Sequence, residues 1–278
     1  MEKNAVPISN EVVESPVRMT EKTSQSGILL GDWLAAKPFS LTMSSGFFAF
    51  FAHTGMLCAL ESAGLHPIGY SGSSAGALVG GLAAAGLSGS DLEESLASLR
   101  REEFWDPGFG AGLLRGELFQ RKLETLLPVS DFLDCPKSVK LSVFNLLKRK
   151  TEVLTDGSLA SAIHASCALP VLFQPVRRRG QLLSDGGIAD RPGLAGMASG
   201  ERVLYHHISS RSAWRRRGSA SLRIPARHNM VSLSIQGLER ANPFHLERGV
   251  TAMREARRAT ERALVMPVCD KLVEVNAA

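Results

Sequence analysis

Residues 67–85, PIGYSGSSAGALVGGLAAA, place a short extended segment, a turn of glycines and serines and an alanine-rich helix in immediate succession. Gly72 and Gly76 let the chain reverse sharply without Cβ collisions, and Ala75 to Ala85 is a run of helix-forming residues. The same events precede it. FSLTM at 39–43 is strand-like, Ser44-Ser45-Gly46 is a turn, and a helix follows to about Ala63, with Met56, Leu57, Leu60 and Ala63 on one face and Gly64 as its stop. Strand, tight turn and helix twice in fifty residues point to a sheet with helices packed on it.

The alternation continues. Residues 91–127 read as helical pieces, broken by turn residues from Trp105 to Gly110. Strands are expected at 138–145 and 151–154, then a helix capped by Ser158 and ended by Pro170. Further strands are expected at 181–184, 202–208 and 230–235, and an amphipathic helix at about 246–265. This order implies an α/β fold with a mainly parallel sheet in one domain spanning 38–278. Residues 1–26 are polar and irregular, so 1–37 is expected to be a mobile N-terminal extension.

Composition excludes several classes. Hydrophobic residues make up 44% and charged residues 21% of the 278, as in soluble globular proteins. Cys58, Cys135, Cys167 and Cys269 lack metal-ligand spacing and fit thiols of a reducing compartment, so no metal is expected. The longest apolar run, Phe47 to Ala52, is six residues, far short of the roughly 20 that span a bilayer. With no secretory leader in view, a cytoplasmic location is expected. Neither a P-loop nor a dinucleotide fingerprint is present. Charge is uneven: residues 201–278 carry 14 Lys and Arg against 7 Asp and Glu. That is either a solvated basic face or a surface for phosphates.

Gly72-x-Ser74-x-Gly76 fits a nucleophile elbow, which presents a serine hydroxyl above a helix N-terminus. The pattern recurs by chance, and the strand before it and helix after it give it weight. The first block, SGFFAFFAHTGMLCALESAGLHPIGYSGSSAGALVGGLAAAG, is followed about a hundred residues later by IHASCALPVLFQPVRRRGQLLSDGGIADRPGL. In order and spacing, residues 40–195 resemble the patatin-like phospholipase family, with its glycine-rich oxyanion loop, GxSxG elbow and DG[GA] motif. The resemblance implies a three-layer α/β/α sandwich and a lipid acyl hydrolase working through a Ser-Asp dyad without histidine or cofactor. Carried onto this chain, Ser74 is the nucleophile, Asp185 its partner, Gly46 and Phe47 the backbone oxyanion donors, and Gly72 and Gly76 the elbow glycines.

In the oxyanion loop, Ser45-Gly46-Phe47-Phe48-Ala49-Phe50, only Gly46 remains of the family's glycine run, and Ala49-Phe50 stand where many patatins have Arg-Gly. That departure motivates a second reading, a catalytically impaired lipid- or protein-binding module of the same fold. Phe47, Phe48, Phe50 and Phe51 are candidates for an acyl-chain pocket, with at least two expected to be buried at the strand–helix junction instead. A histidine-using α/β-hydrolase, with His228 or His245 as base, is the nearest rival enzyme. The expected partner is a lipid ester. Arg177-Arg178-Arg179 and Arg215-Arg216-Arg217 suit an anionic membrane surface better than nucleic acid, since little aromatic interleaving accompanies them.

Overall fold

The structure, a computed structural model, describes residues 27–209 and 223–277. Residues 1–26 of the extension expected over 1–37 and the triplet Arg215-Arg216-Arg217 lie outside the described residues. The packed chain begins before residue 38. A short helix α1 (Leu30–Ala35) buries Leu30 and Leu34, and the Leu30 N–H donates to Met266 O at 3.0 Å.

The first half contains β1 (Ser40–Met43), α2 (Phe50–Ser62), β2 (Gly69–Ser73), α3 (Ala75–Ala84), α4 (Gly89–Ala97), β3 (Gly112–Leu114) and α5 (Glu117–Leu126). Then come β4 (Ser138–Asn145), β5 (Lys150–Leu154), α6 (Leu159–Cys167), β6 (Val171–Phe173), β7 (Val176–Arg178) and β8 (Gln181–Asp185). The chain continues through β9 (Val203–Ile208), β10 (Met230–Gln236), α7 (Glu247–Leu264) and β11 (Leu272–Asn276). Ser158 caps α6 as expected, its hydroxyl accepting from the Ser161 N–H at 3.2 Å. Strands β3, β6, β7 and β11 are too short or too mixed in pattern to stand out in the sequence.

Among the described residues the main sheet has nine strands in the order β11-β10-β9-β1-β2-β4-β8-β7, with β5 also on β4. Strands β1, β2, β4, β9, β10 and β11 run parallel, while β5 and β8 pair antiparallel with β4 and β7 pairs antiparallel with β8. The architecture is therefore α/β around a mainly parallel sheet. Alternate residues divide its faces. Leu41, Met43, Leu141, Leu204 and Leu233 enter the main core with residues of α2, α3, α6 and α7. The other face of β1, β2 and β4 is lined with buried hydroxyls that tie down the segment 186–202. Thr42 and Ser71 donate to Gly193 O at 3.0 and 2.6 Å, and Ser142 donates to Asp190 Oδ2 at 2.6 Å. No helix among the described residues is long and apolar enough to cross a membrane.

One detail of register positions the site. Leu141 and Ser142 of β4 pair with both β2 and β5, so those two strands occupy opposite edges of β4. Val143 to Asn145 pair with both β5 and β8, which puts β8 on the same edge as β2. Ser73 faces Ser142 and Asp185 faces Val143, on consecutive rungs. The ends of β2 and β8 thus meet head-on.

Candidate active site

Where β2 ends, the chain leaves the sheet through Ser74, whose backbone sits at φ 54°, ψ −117°. A non-glycine residue in that region costs about 1–3 kcal/mol and is held there only by its surroundings. Those surroundings have no room to spare: a Cβ on Gly72 would lie 2.7 Å from Ala77 N, and one on Gly76 2.8 Å from Met43 Cβ. Both glycines are required by close approach of backbone to backbone.

The Ser74 hydroxyl donates to Asp185 Oδ2 at 2.6 Å. Asp185 is 3% exposed, and its second oxygen accepts the Gly187 N–H at 2.7 Å. Its own N–H donates to Ala168 O at 2.9 Å, which fastens the end of β8 to the end of α6. The two residues named from sequence therefore face each other across 111 positions of chain. Gly72 and Gly76 form the elbow beneath them.

The model of the patatin-like phospholipase family matches residues 41–196, more than half of the chain. The chain belongs to that family. Uncharacterized NTE family proteins of Mycobacterium tuberculosis and Mycobacterium bovis are 33% identical over 166 residues, covering 57% of this chain and 45% of each relative. The match thus spans just under half of those relatives' length. The crystal structure of VipD from Legionella pneumophila superposes with a TM-score of 0.57 at 16% identity, over 82% of this chain and 66% of that one. At that identity the likeness is one of fold.

The loop at the patatin family's oxyanion position follows β1, which is paired with β2 at Met43↔Gly72, so residue 45 stands level with the elbow. Gly46 turns tightly, and a Cβ there would lie 2.7 Å from Ala49 Cβ. Phe48 adopts a positive φ of 55°. Phe51 is 1% exposed and Phe50 half-buried, so these two belong to the junction. Phe47 and Phe48 instead line a cavity of about 270 Å³ with Ala49, Ala52, Ile208 and Leu238. Ser209, Gln236, Glu239 and Arg240 supply its polar wall. It lies at the carboxyl ends of the parallel strands β9 and β10, where open α/β sheets hold ligands.

Three residues of the site were not singled out from sequence. Ser166 accepts the Ser74 N–H at 2.9 Å and donates to Ser142 O at 2.7 Å, pinning the strained elbow to β4. The Cys167 thiol donates to Ser74 O at 3.2 Å, and burial, with the negative charge of Asp185, holds its pKa well above 9.0. It is a neutral thiol. Ser45 packs against Gly187, whose N–H holds Asp185: a Cβ on Gly187 would lie 2.6 Å from Ser45 Cβ and 2.9 Å from Asp185 Oδ1. Both Ser166 and Cys167 sit in HASCAL, a stretch quoted for the resemblance, but nothing local in it marks a serine that binds a distant backbone.

The histidines serve other ends. His53 Nε2 lies 2.8 Å from Ser44 O, and a carbonyl only accepts, so Nε2 carries the proton. His53 Nδ1 then accepts from His206 Nδ1–H at 2.8 Å. This buried pair holds Ser44, the residue just before the Ser45–Phe50 loop. Desolvation lowers the His53 pKa to about 4 and that of His206 well below 6.5, so both rings are neutral. His245, one base of the rival reading, pairs with Glu247 at 3.1 Å on the surface, and His228 is exposed.

Proposed function

We propose that the chain hydrolyses carboxylic esters of lipids, of the phospholipid or acylglycerol class, through Ser74 and Asp185. The observation that carries this is the 2.6 Å hydrogen bond from Ser74 Oγ to a buried carboxylate at a strained strand–helix turn. Ser74 Oγ attacks the ester carbonyl carbon, and its proton passes to Asp185 Oδ2. The carbonyl oxygen becomes an oxyanion, to which backbone N–H groups of the Gly46–Phe47 loop are assigned as donors. Collapse expels the alcohol, which takes the proton from Asp185 and leaves an acyl-Ser74 ester. Water then attacks that ester and gives its proton to Asp185. The second collapse releases the acid, and the Ser74 oxygen takes the proton back. The apolar wall formed by Phe47, Phe48, Ala52 and Ile208 is a seat for the acyl chain.

The test is hydrolysis of a short and a long p-nitrophenyl ester by the native protein, Ser74→Ala and Asp185→Asn. Each substitution is expected to lower kcat/KM by about 1000-fold or more in protein that stays folded. Activity that survives in Ser74→Ala overturns the mechanism. A native protein inactive on these esters and on phospholipid vesicles would favour a fold-retaining lipid-binding module.

A further inference from the structure

Large apolar side chains stand in water on a part of the molecule that adjoins the site. Strands β3 and β6 form a separate two-stranded sheet, pairing Gly112 with Val171 and Leu114 with Phe173. Phe109 at its approach is fully exposed, and Leu113 and Val171 are 51% and 82% exposed. Val171 also has φ 71°, a region that β-branched residues avoid. With its side chain exposed, burial does little to offset that strain.

The neighbouring hairpins carry cations. Gln174 at the end of β6 donates to Phe109 O at 2.9 Å, and the chain runs on directly into Arg177-Arg178-Arg179 of the β7–β8 hairpin. Beside it lies the β4–β5 hairpin: the Leu146 N–H donates to Leu182 O at 2.9 Å, and Leu147, Lys148, Arg149 and Lys150 are all exposed. Among the described residues, two acids partner these six cations, Glu152 with Lys148 at 2.9 Å and Asp156 with Arg179 at 2.6 Å. The patch therefore combines net positive charge with exposed apolar tips, the combination that suits an anionic bilayer surface. A nucleic-acid groove has no use for an exposed Phe109 and Val171 without base-stacking geometry around them.

The patch is within reach of the site. From Gln181 at the hairpin tip to Asp185 is four strand steps, about 13 Å. Val171 follows Cys167, whose thiol touches Ser74, by four residues, at most about 14 Å.

We propose that this edge is the docking surface for anionic lipid bilayers, with Phe109, Leu113 and Val171 entering the interface while Arg149, Lys150 and Arg177 meet the head groups. It rests on the lipid-ester reading for its purpose, but it is tested separately. Ser74→Ala protein is mixed with phosphatidylcholine vesicles, with or without phosphatidylserine, at low and high salt. Binding is expected to require phosphatidylserine and to fall with salt. Arg149→Gln, Lys150→Gln and Arg177→Gln together are expected to weaken it about 100-fold. Phe109→Ala with Val171→Gly should weaken it about tenfold or more. Val171→Gly alone should also raise the thermal unfolding midpoint, because glycine accepts φ 71° freely. A merely structural valine would not give lower binding together with higher stability. Equal binding to neutral and anionic vesicles, parental binding by both sets of variants, or tighter binding to a DNA duplex than to vesicles overturns the proposal. Short-chain ester turnover by the wild type without vesicle binding sinks the docking surface alone. Vesicle binding without ester turnover sinks the hydrolase reading alone.

Discussion

Asp185 is held by contacts that leave it little freedom: Oδ2 receives Ser74, Oδ1 receives the Gly187 N–H, and its own N–H is fixed to Ala168 O. In the proposed mechanism one carboxylate takes the serine's proton, so the rate depends on that carboxylate's position to a fraction of an ångström. Gly187→Ala tests this directly. Its Cβ would press on Ser45 and on Asp185 Oδ1, so the acid must shift while the serine stays. We expect kcat to fall about 100-fold, with KM for a short ester changed far less. An unaltered kcat would mean that the carboxylate tolerates displacement and that the geometry matters less than argued. Gly187 was legible in the sequence only as part of DGG; that it guards a side-chain position became visible once Ser45 stood opposite.

At the scale of elements, α2 and α7 lie against each other more closely than side chains would permit. A Cβ on Gly55 would lie 2.9 Å from Met253 C and 3.0 Å from Arg257 N, with Met253 O closer still. Gly249 packs the same way under the Phe51 ring. All of these contacts involve backbone or a buried ring, so they cannot yield cheaply. Gly55→Ala is expected to cost about 1–3 kcal/mol, more than the gain from alanine's better helix propensity. Urea unfolding reads this as a lower midpoint at constant slope, and an unchanged midpoint would refute it. In the sequence, His53-Thr54-Gly55-Met56 gives no sign of a crossing point. The partner helix lies about two hundred residues away in the chain, beyond the reach of any local pattern.

Across the whole molecule, neutral histidines make stability depend on pH. Burial lowers His53, His164 and His207 from 6.5 to about 4 each. Between those values the unfolded chain binds more protons than the folded one, so stability rises with pH from about 4 to 6.5 and is level above. From pH 6.5 down to 5, above most carboxylate titration, each such ring removes about 2 kcal/mol. Unfolding free energies measured across that window should fall toward acid, and a flat profile would place the rings in water. The alternation of strands and helices, the strand–turn–helix unit around Ser74 and the pairing of Ser74 with Asp185 were all legible in the sequence. They depend on local periodicity, on glycines at fixed offsets and on a motif order shared with the patatin-like family. The sequence did not say that Leu30 and Leu34 anchor the domain ahead of residue 38, or that Phe47 and Phe48 line the cavity while Phe50 and Phe51 fill the junction. Nor did it reveal that Ser166 holds the Ser74 N–H or that Ser45 packs against Gly187. Only the tertiary structure decided that β2 and β8 share one edge of β4 on consecutive rungs, which turns two motifs 111 residues apart into one hydrogen-bonded pair. Register between strands is set by the packing of both faces of a sheet at once, and no single segment carries that information.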